Sequence, residues 1–213
     1  MPAAANGKRK AYHHGNLTDA LIAATVEIIE ERGVEHVSVR EAARRAGVSP
    51  GAPFRHFASR AALLTAVGEQ AMERLALAVR EAVDAAAEDG PAAQFAAIGD
   101  AYLDWALSNP THFQIISSRE IMDFATPSPI RARNDAIRAE MIVLLEQMQT
   151  RGELHAQADL DQLVLAARAH VYGLARMAVD GHLPEWYDRE PPRAAMRNAL
   201  RLFLASILPA PAP

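Results

Sequence analysis

Cysteine is absent from the chain, which removes disulfides, thiolate metal sites and thiol nucleophiles together and suits a reducing compartment, the cytoplasm. No apolar run approaches the roughly 18 residues expected of a membrane-crossing helix. The opening residues MPAAANGKRKAYHHGN also lack the apolar middle of a signal peptide. Missing too are a Gly-rich phosphate loop, a serine in a nucleophile elbow and a carboxylate pair set in an apolar helix face. No catalytic residue and no cofactor is therefore assigned, and enzymatic activity is not expected. Histidine is present, but His13 and His14 are adjacent in a polar arm, and His112, His155, His170 and His182 are scattered over different elements. No two have ligand spacing on one helix, so no metal site is expected. Alternating strand patterns and internal repeats are also lacking.

What remains is helical. Half of the 213 residues are hydrophobic, enough for a real core, and the length suits a small domain joined to a larger one. Charge is unevenly divided: the residues up to Arg60 carry a net +3, whereas the rest carry −7. A basic N-terminal module on an acidic body suits a protein that presents one end to a polyanion, although a solvation accident produces the same split.

The densest information lies in Ser38–Phe57, SVREAARRAGVSPGAPFRHF. Ser38 with Glu41 three residues later is a capping-box pattern, with the serine oxygen on a first-turn amide and the glutamate reaching back to the serine amide. It predicts a helix from Val39, with Val39, Ala42, Ala43 and Ala46 on the apolar face and Arg40, Arg44 and Arg45 outward. Gly47 supplies the stop, and Val48 plugs back between the helices. Ser49 and Pro50 then open a second short helix through Phe57. Two short helices around a glycine turn, with arginines outside, read as a DNA-binding helix-turn-helix.

Taken in order, residues 1–15 form a basic arm around Lys8, Arg9 and Lys10. A helix capped by Asn16 runs to Arg32 and completes, with the two motif helices, a three-helix head over residues 16–60. Ser59 starts a long helix whose period is held by Leu63, Leu64, Val67, Ala71, Leu75, Val79 and Ala82. Helices follow from Pro91 to Asn109-Pro110, briefly around Phe113, Ile115 and Ile116, from about Ile130 to Arg151, from Asp159 to Gly181 and from about Pro192 to Leu208. Residues 61–208 thus form a larger helical-bundle domain, and 209–213 a tail without a core pattern. The fold class is all-α. The last two helices carry more apolar surface than one face can bury. Either they are central in the monomer, or Leu163, Ala167, Val171, Leu174, Met196, Leu200, Phe203 and Ile207 meet a second copy in a four-helix interface.

From Leu17 to Val67 these residues resemble the TetR family of bacterial transcriptional regulators. The resemblance rests on Glu31-Arg32-Gly33, REAARRAGVS, PGAPFRHF, and Ser59-Arg60 with Leu63. The His13-His14-Gly15-Asn16-Leu17 opening, WALSNPTHF at Trp105–Phe113 and Val171-Tyr172-Gly173 resemble the branch with a Trp-His-Gly phrase in its C-terminal domain. The resemblance implies a homodimeric regulator, most often a repressor, bound to a palindromic duplex operator and released by a small, apolar effector. An activator or DNA organiser without effector, and a helical-bundle enzyme or carrier, are the alternatives.

In such a head the second motif helix enters the major groove and reads base edges. The residues placed there are Ser49, Gly51, Ala52, Arg55 and His56, with Arg55 either on guanine O6 and N7 or on phosphate. Backbone contacts fall to Arg40, Arg44, Arg60 and Phe54, and to Lys8, Arg9 and Lys10 if the arm follows the minor groove rather than staying solvated. Phe54 stands where the family has tyrosine, so the resemblance implies a missing phosphate-binding hydroxyl and a grip that leans on Arg40, Arg44 and Arg60. The effector pocket is expected among Trp105, Phe113, Ile116, Met122, Phe124, Met141, Met148, His170, Tyr172 and Met177, each of which also fits plain core.

Overall fold

The computed structural model describes residues 14–122 and 127–207. Lys8, Arg9 and Lys10, Phe124 and the tail beyond Leu208 lie outside the described residues. Among the described residues every regular element is helical, and none is long and apolar enough to cross a membrane. They fall into two compact units that divide between Val67 and Gly68.

The smaller unit is built on α1 (His14–Arg32) and α2 (Val39–Arg45), joined by a 3₁₀ turn at Val34–His36. Helix α1 starts at His14, so Asn16 lies inside its first turn rather than capping it. Leu21, Ile22, Ala24, Ile28 and Ile29 from α1 meet Val37, Val39, Ala42 and Ala43 in the core. Thr25 is fully buried there because its hydroxyl donates to the Leu21 carbonyl one turn back, at 2.7 Å, so no polar atom is left unpaired.

Half of the expected capping box forms at α2. Ser38 Oγ accepts from the Glu41 amide at 3.1 Å, but the Glu41 carboxylate turns away to Arg32 and Arg44, two cations that outcompete a single amide. Gly47 ends the helix at φ 69°. That left-handed geometry lets the Val48 amide reach the Ala43 carbonyl at 3.0 Å and the Gly47 amide reach Arg44.

The segment expected as the second motif helix is instead a turn followed by one turn of 3₁₀ helix at Pro53–Arg55. The cause is local. An α-helix here would need the amide of residue 53 on the Ser49 carbonyl, and proline has none. Ser49 is satisfied by the Ala52 amide at 3.1 Å, which tightens the chain to an i, i+3 pattern. Pro53 and Phe57 are buried and hold the segment on the head core.

Helix α3 (Arg60–Ala85) opens on Ser59, whose Oγ accepts from the Ala62 amide. Its first turns add Leu63, Leu64 and Val67 to the head core. The larger unit contains the rest of α3 with α4 (Pro91–Ser108), α5 (Pro110–Ser117), α6 (Pro129–Thr150), α7 (Leu160–Val179), α8 (Leu183–Trp186) and α9 (Pro192–Ile207). Helix α4 is the hub and packs on α6, α7 and α9. Prolines open α4, α5, α6 and α9, where a missing amide costs nothing. Ser128 and Asp159 cap α6 and α7 by accepting from Arg131 and Gln162. Phe113, Leu103, Met122, Leu145, Met148 and Met196 are fully buried and form the core.

Candidate nucleic-acid interface and effector cavity

On the head, Ser49, Gly51, Arg55 and His56 are exposed and Ala52 is half-buried. The constricted turn therefore still presents the five residues assigned to base edges. Gly51 has open space around the position a Cβ would take, so close backbone approach is unobstructed. His56 is steadied from α1, its Nδ1 lying 3.4 Å from Thr18 Oγ1. Phe54 is 47% exposed, a large apolar ring turned outward beside Arg55, whereas its neighbour Phe57 packs inward.

The arginines divide by what already holds them. Arg60 does not stand free as a phosphate clamp: its Nη2 donates to the Val34 carbonyl at 2.8 Å and its Nε to Val37 at 3.2 Å. It straps the 3₁₀ turn after α1, adding a second donor to the Val34 carbonyl, which already accepts the Val37 amide, and one to the Val37 carbonyl. Arg44 is exposed but makes a two-point pair with Glu41, at 2.9 and 2.7 Å, and Arg32 joins the same carboxylate at 2.8 Å. Arg45 is largely covered and paired with Glu31, with Glu27 at 3.6 Å. Arg40 and Arg55 make no ion pair among the described residues and remain exposed. Of the three arginines expected on the DNA backbone, Arg44 and Arg60 are thus held by protein partners, and Arg40 makes no ion pair among the described residues.

Glu41 is the electrostatic centre of this surface. The hydrogen bond from Arg44, reinforced by the charges of Arg44, Arg32 and Arg45, holds its carboxyl at about 2, well below the ordinary 4.5. A carboxyl depressed on folding adds stability above its unfolded value and loses it as pH falls toward the folded one. Acid unfolding of the wild type should therefore steepen between pH 4.5 and about 2, and Glu41→Gln should flatten that limb in circular-dichroism melts. An acid limb unchanged by the substitution would show that the triad contributes nothing to folding.

The larger unit holds a cavity of about 1030 Å³ of atom-free space, its open mouth included. Six helices wall it, five of them through one stripe at i, i+3, i+4, i+7 or part of it and α5 through Ile116 and Ser117. Met72, Leu75 and Val79 come from α3, and Phe95, Ile98, Gly99 and Tyr102 from α4. Asn134, Ile137, Arg138 and Met141 come from α6, Val164, Ala167, Arg168 and Val171 from α7, and Leu200, Phe203 and Leu204 from α9. Gly99 is there for space, because a Cβ would lie 2.8 Å from Leu200 Cδ2. Burial pushes the Tyr102 phenol above its usual range.

Ten residues are expected in a pocket; of the nine that are described, Ile116 and Met141 line it. Trp105, Phe113, Met122 and Met148 are buried core. His170 is tied to the Ala199 carbonyl at 3.2 Å and stacked on Phe203, and Tyr172 and Met177 are half-buried off the lining. Selection by residue type missed the cavity because the bulkiest aromatics and thioethers fill the tightest core. The helical stripes carry the missing signal. Of the residues expected at a dimer contact, Ala167, Val171 and Leu200 are buried on the cavity wall, Met196 is buried in the core, and Phe203 is half-buried on the wall. Leu163, Leu174 and Ile207 are half-buried. The large apolar residues these two helices expose are Leu165, at 62%, and Leu202, at 74%. No group of three or more His, Cys, Asp or Glu among the described residues could hold a metal ion.

Residues 21–67 match the family described as bacterial regulatory proteins, tetR family. Residues 95–203 match the tetracyclin repressor-like C-terminal domain. Among solved structures, a protein of unknown function from Rhodococcus sp. RHA1 is similar at a TM-score of 0.79 and 30% identity, over 94% of this chain and 100% of that one. The ketosteroid transcriptional regulator KstR2 of Mycobacterium tuberculosis is similar at 0.68 and 20% identity, over 91% and 95% of the two chains. The fatty acid degradation regulator FadR from Bacillus halodurans is similar at 0.71 and 16%, over 92% and 97%. At those identities the last two share the fold. The comparison with curated proteins finds no match. With its head and its C-terminal domain both matched, the second over half of its length, the chain belongs to the TetR family of bacterial transcriptional regulators.

Proposed function

We propose that the protein is a ligand-responsive repressor that binds a palindromic duplex operator as a homodimer in the cytoplasm and is released by a small, largely apolar effector. The observation that carries this reading is the apolar cavity walled by α3, α4, α5, α6, α7 and α9. Helix α3 gives Leu63, Leu64 and Val67 to the head core and Met72, Leu75 and Val79 to the cavity wall. One continuous helix is therefore available to couple ligand to head. A ligand acts only through differential affinity: to move the released form from a hundredth to nearly all of the population, it must bind that form about 10⁴-fold more tightly. Leu165 and Leu202, exposed on α7 and α9, are the residues a second copy would cover, and a two-fold pair would set the recognition turns on major grooves about 34 Å apart.

The test is selection of bound duplexes from a random pool, followed by fluorescence anisotropy on the winner with apolar compounds added. An inverted repeat that the protein leaves when an apolar compound fills the cavity is the expected result. Selection of a single half-site would overturn the dimeric reading. Binding indifferent to every cavity-filling compound would favour an organiser without effector.

A further inference from the structure

The cavity is apolar over most of its wall, and its charge has one sign. Arg138 and Arg168 line it, and no aspartate or glutamate does. The two arginines differ in what answers them. Arg138 is paired with Asp161 at 2.5 Å. Arg168 makes no ion pair among the described residues. Its guanidinium carbon lies 4.5 Å from the ring centroid of Tyr102 and 5.4 Å from that of Tyr172. Tyr102 is itself buried on the cavity wall.

Stacking of this kind engages the face of the guanidinium and leaves its N–H groups in the plane, directed past the rings. Those donors suit a planar, two-oxygen acceptor, which a carboxylate offers with two parallel bonds. Arg168 is exposed, so a ligand seated over it takes its charge out of water with no protein counter-charge to answer it, which opposes a neutral head group there and favours an anionic one.

We infer that the effector is an amphipathic carboxylic acid, its hydrocarbon body on the apolar wall and its carboxylate held by Arg168. The inference rests on the cavity being the effector site and adds the chemistry of the head group. Arg168 is in this scheme the residue that separates acids from neutral molecules of the same shape, and the apolar stripes measure length and bulk.

The experiment uses the full chain and two probes that differ only at the head, dodecanoate and dodecanol, each below its aggregation threshold, competing with the neutral dye Nile red. Dodecanoate should displace the dye at a concentration at least about tenfold lower than dodecanol, the scale of a hydrogen bond to a charged group. Arg168→Gln should bring the ratio to about one while leaving dodecanol unchanged, and Arg168→Lys, which keeps charge without the fork, should fall between. Equal competition by the two probes in the wild type, a preference that survives Arg168→Gln, or dye displaced by neither probe would each overturn the carboxylate while leaving the cavity as a binding site. A dye that does not bind, or binds Ala167→Phe as well as the wild type with the fold intact by circular dichroism, would overturn the cavity reading and this inference with it.

Discussion

Arg55→Ala should weaken binding to the selected operator by roughly 1–3 kcal/mol per half-site, about 5- to 140-fold, and relax preference at the base it reads. The expectation rests on three features of the head. Arg55 is exposed, it follows a segment whose small residues Gly51 and Ala52 let the backbone close on DNA, and no carboxylate among the described residues holds its guanidinium back. Arg44, by contrast, must exchange the Glu41 carboxylate for phosphate, so its net gain on binding is smaller. The informative control is Arg40→Ala. Loss of a phosphate contact should lower the slope of log affinity against log salt by about 0.9 and leave the preferred sequence unchanged. If Arg55→Ala behaves like Arg40→Ala, with a shallower salt slope and intact preference, Arg55 is a backbone contact and base readout lies elsewhere on the turn.

Phe113→Ala should destabilise the larger unit by about 3–5 kcal/mol, which for a unit of this size lowers its melting temperature by roughly 6–20 °C. Phe113 is fully buried. Its ring meets the edge of Tyr102 at 6.2 Å and lies 6.0 Å from Tyr172, so truncation loses two aromatic contacts as well as apolar burial. Tyr102 is on the cavity wall and Phe113 is not. The substitution should therefore act on ligand binding through Tyr102, by loosening the ring over which Arg168 stacks. Differential scanning calorimetry reads the first effect. A melting temperature within two degrees of wild type would mean that the neighbouring helices collapse into the void, and the core around α4 and α5 would have to be softer than its burial indicates.

How much of this was legible beforehand depended on the range of the interaction. Helix starts and stops are set by a few adjacent residues, so Ser38, Ser59 and Asp159 as caps, Gly47 and Gly181 as stops, and Asn109-Pro110 as a break could be read directly from their types. The same holds for the head core, because the period of the first helices leaves only one apolar face. The recognition turn shows the boundary of that reasoning. Pro50 invited a helix start, and Pro53 three residues later removed the bond that would have sustained it.

Other outcomes depended on partners distant in the chain. Arg60 has the same composition as a phosphate clamp, and only the fold brings Val34 and Val37 carbonyls to its guanidinium from the far end of a turn 23 to 26 residues earlier. Glu41 has the spacing of a capping box, and only packing of α1 against α2 puts Arg32 beside it to draw the carboxylate away. Ala167, Val171, Leu200 and Phe203 carry the apolar pattern of an interface, which is silent on whether the opposite wall is a second copy or a cavity within the same chain. Periodicity determined which residues leave water. Which neighbour receives them, and whether a space is left between, was decided by the packing of six helices around one volume, a property that no single segment encodes.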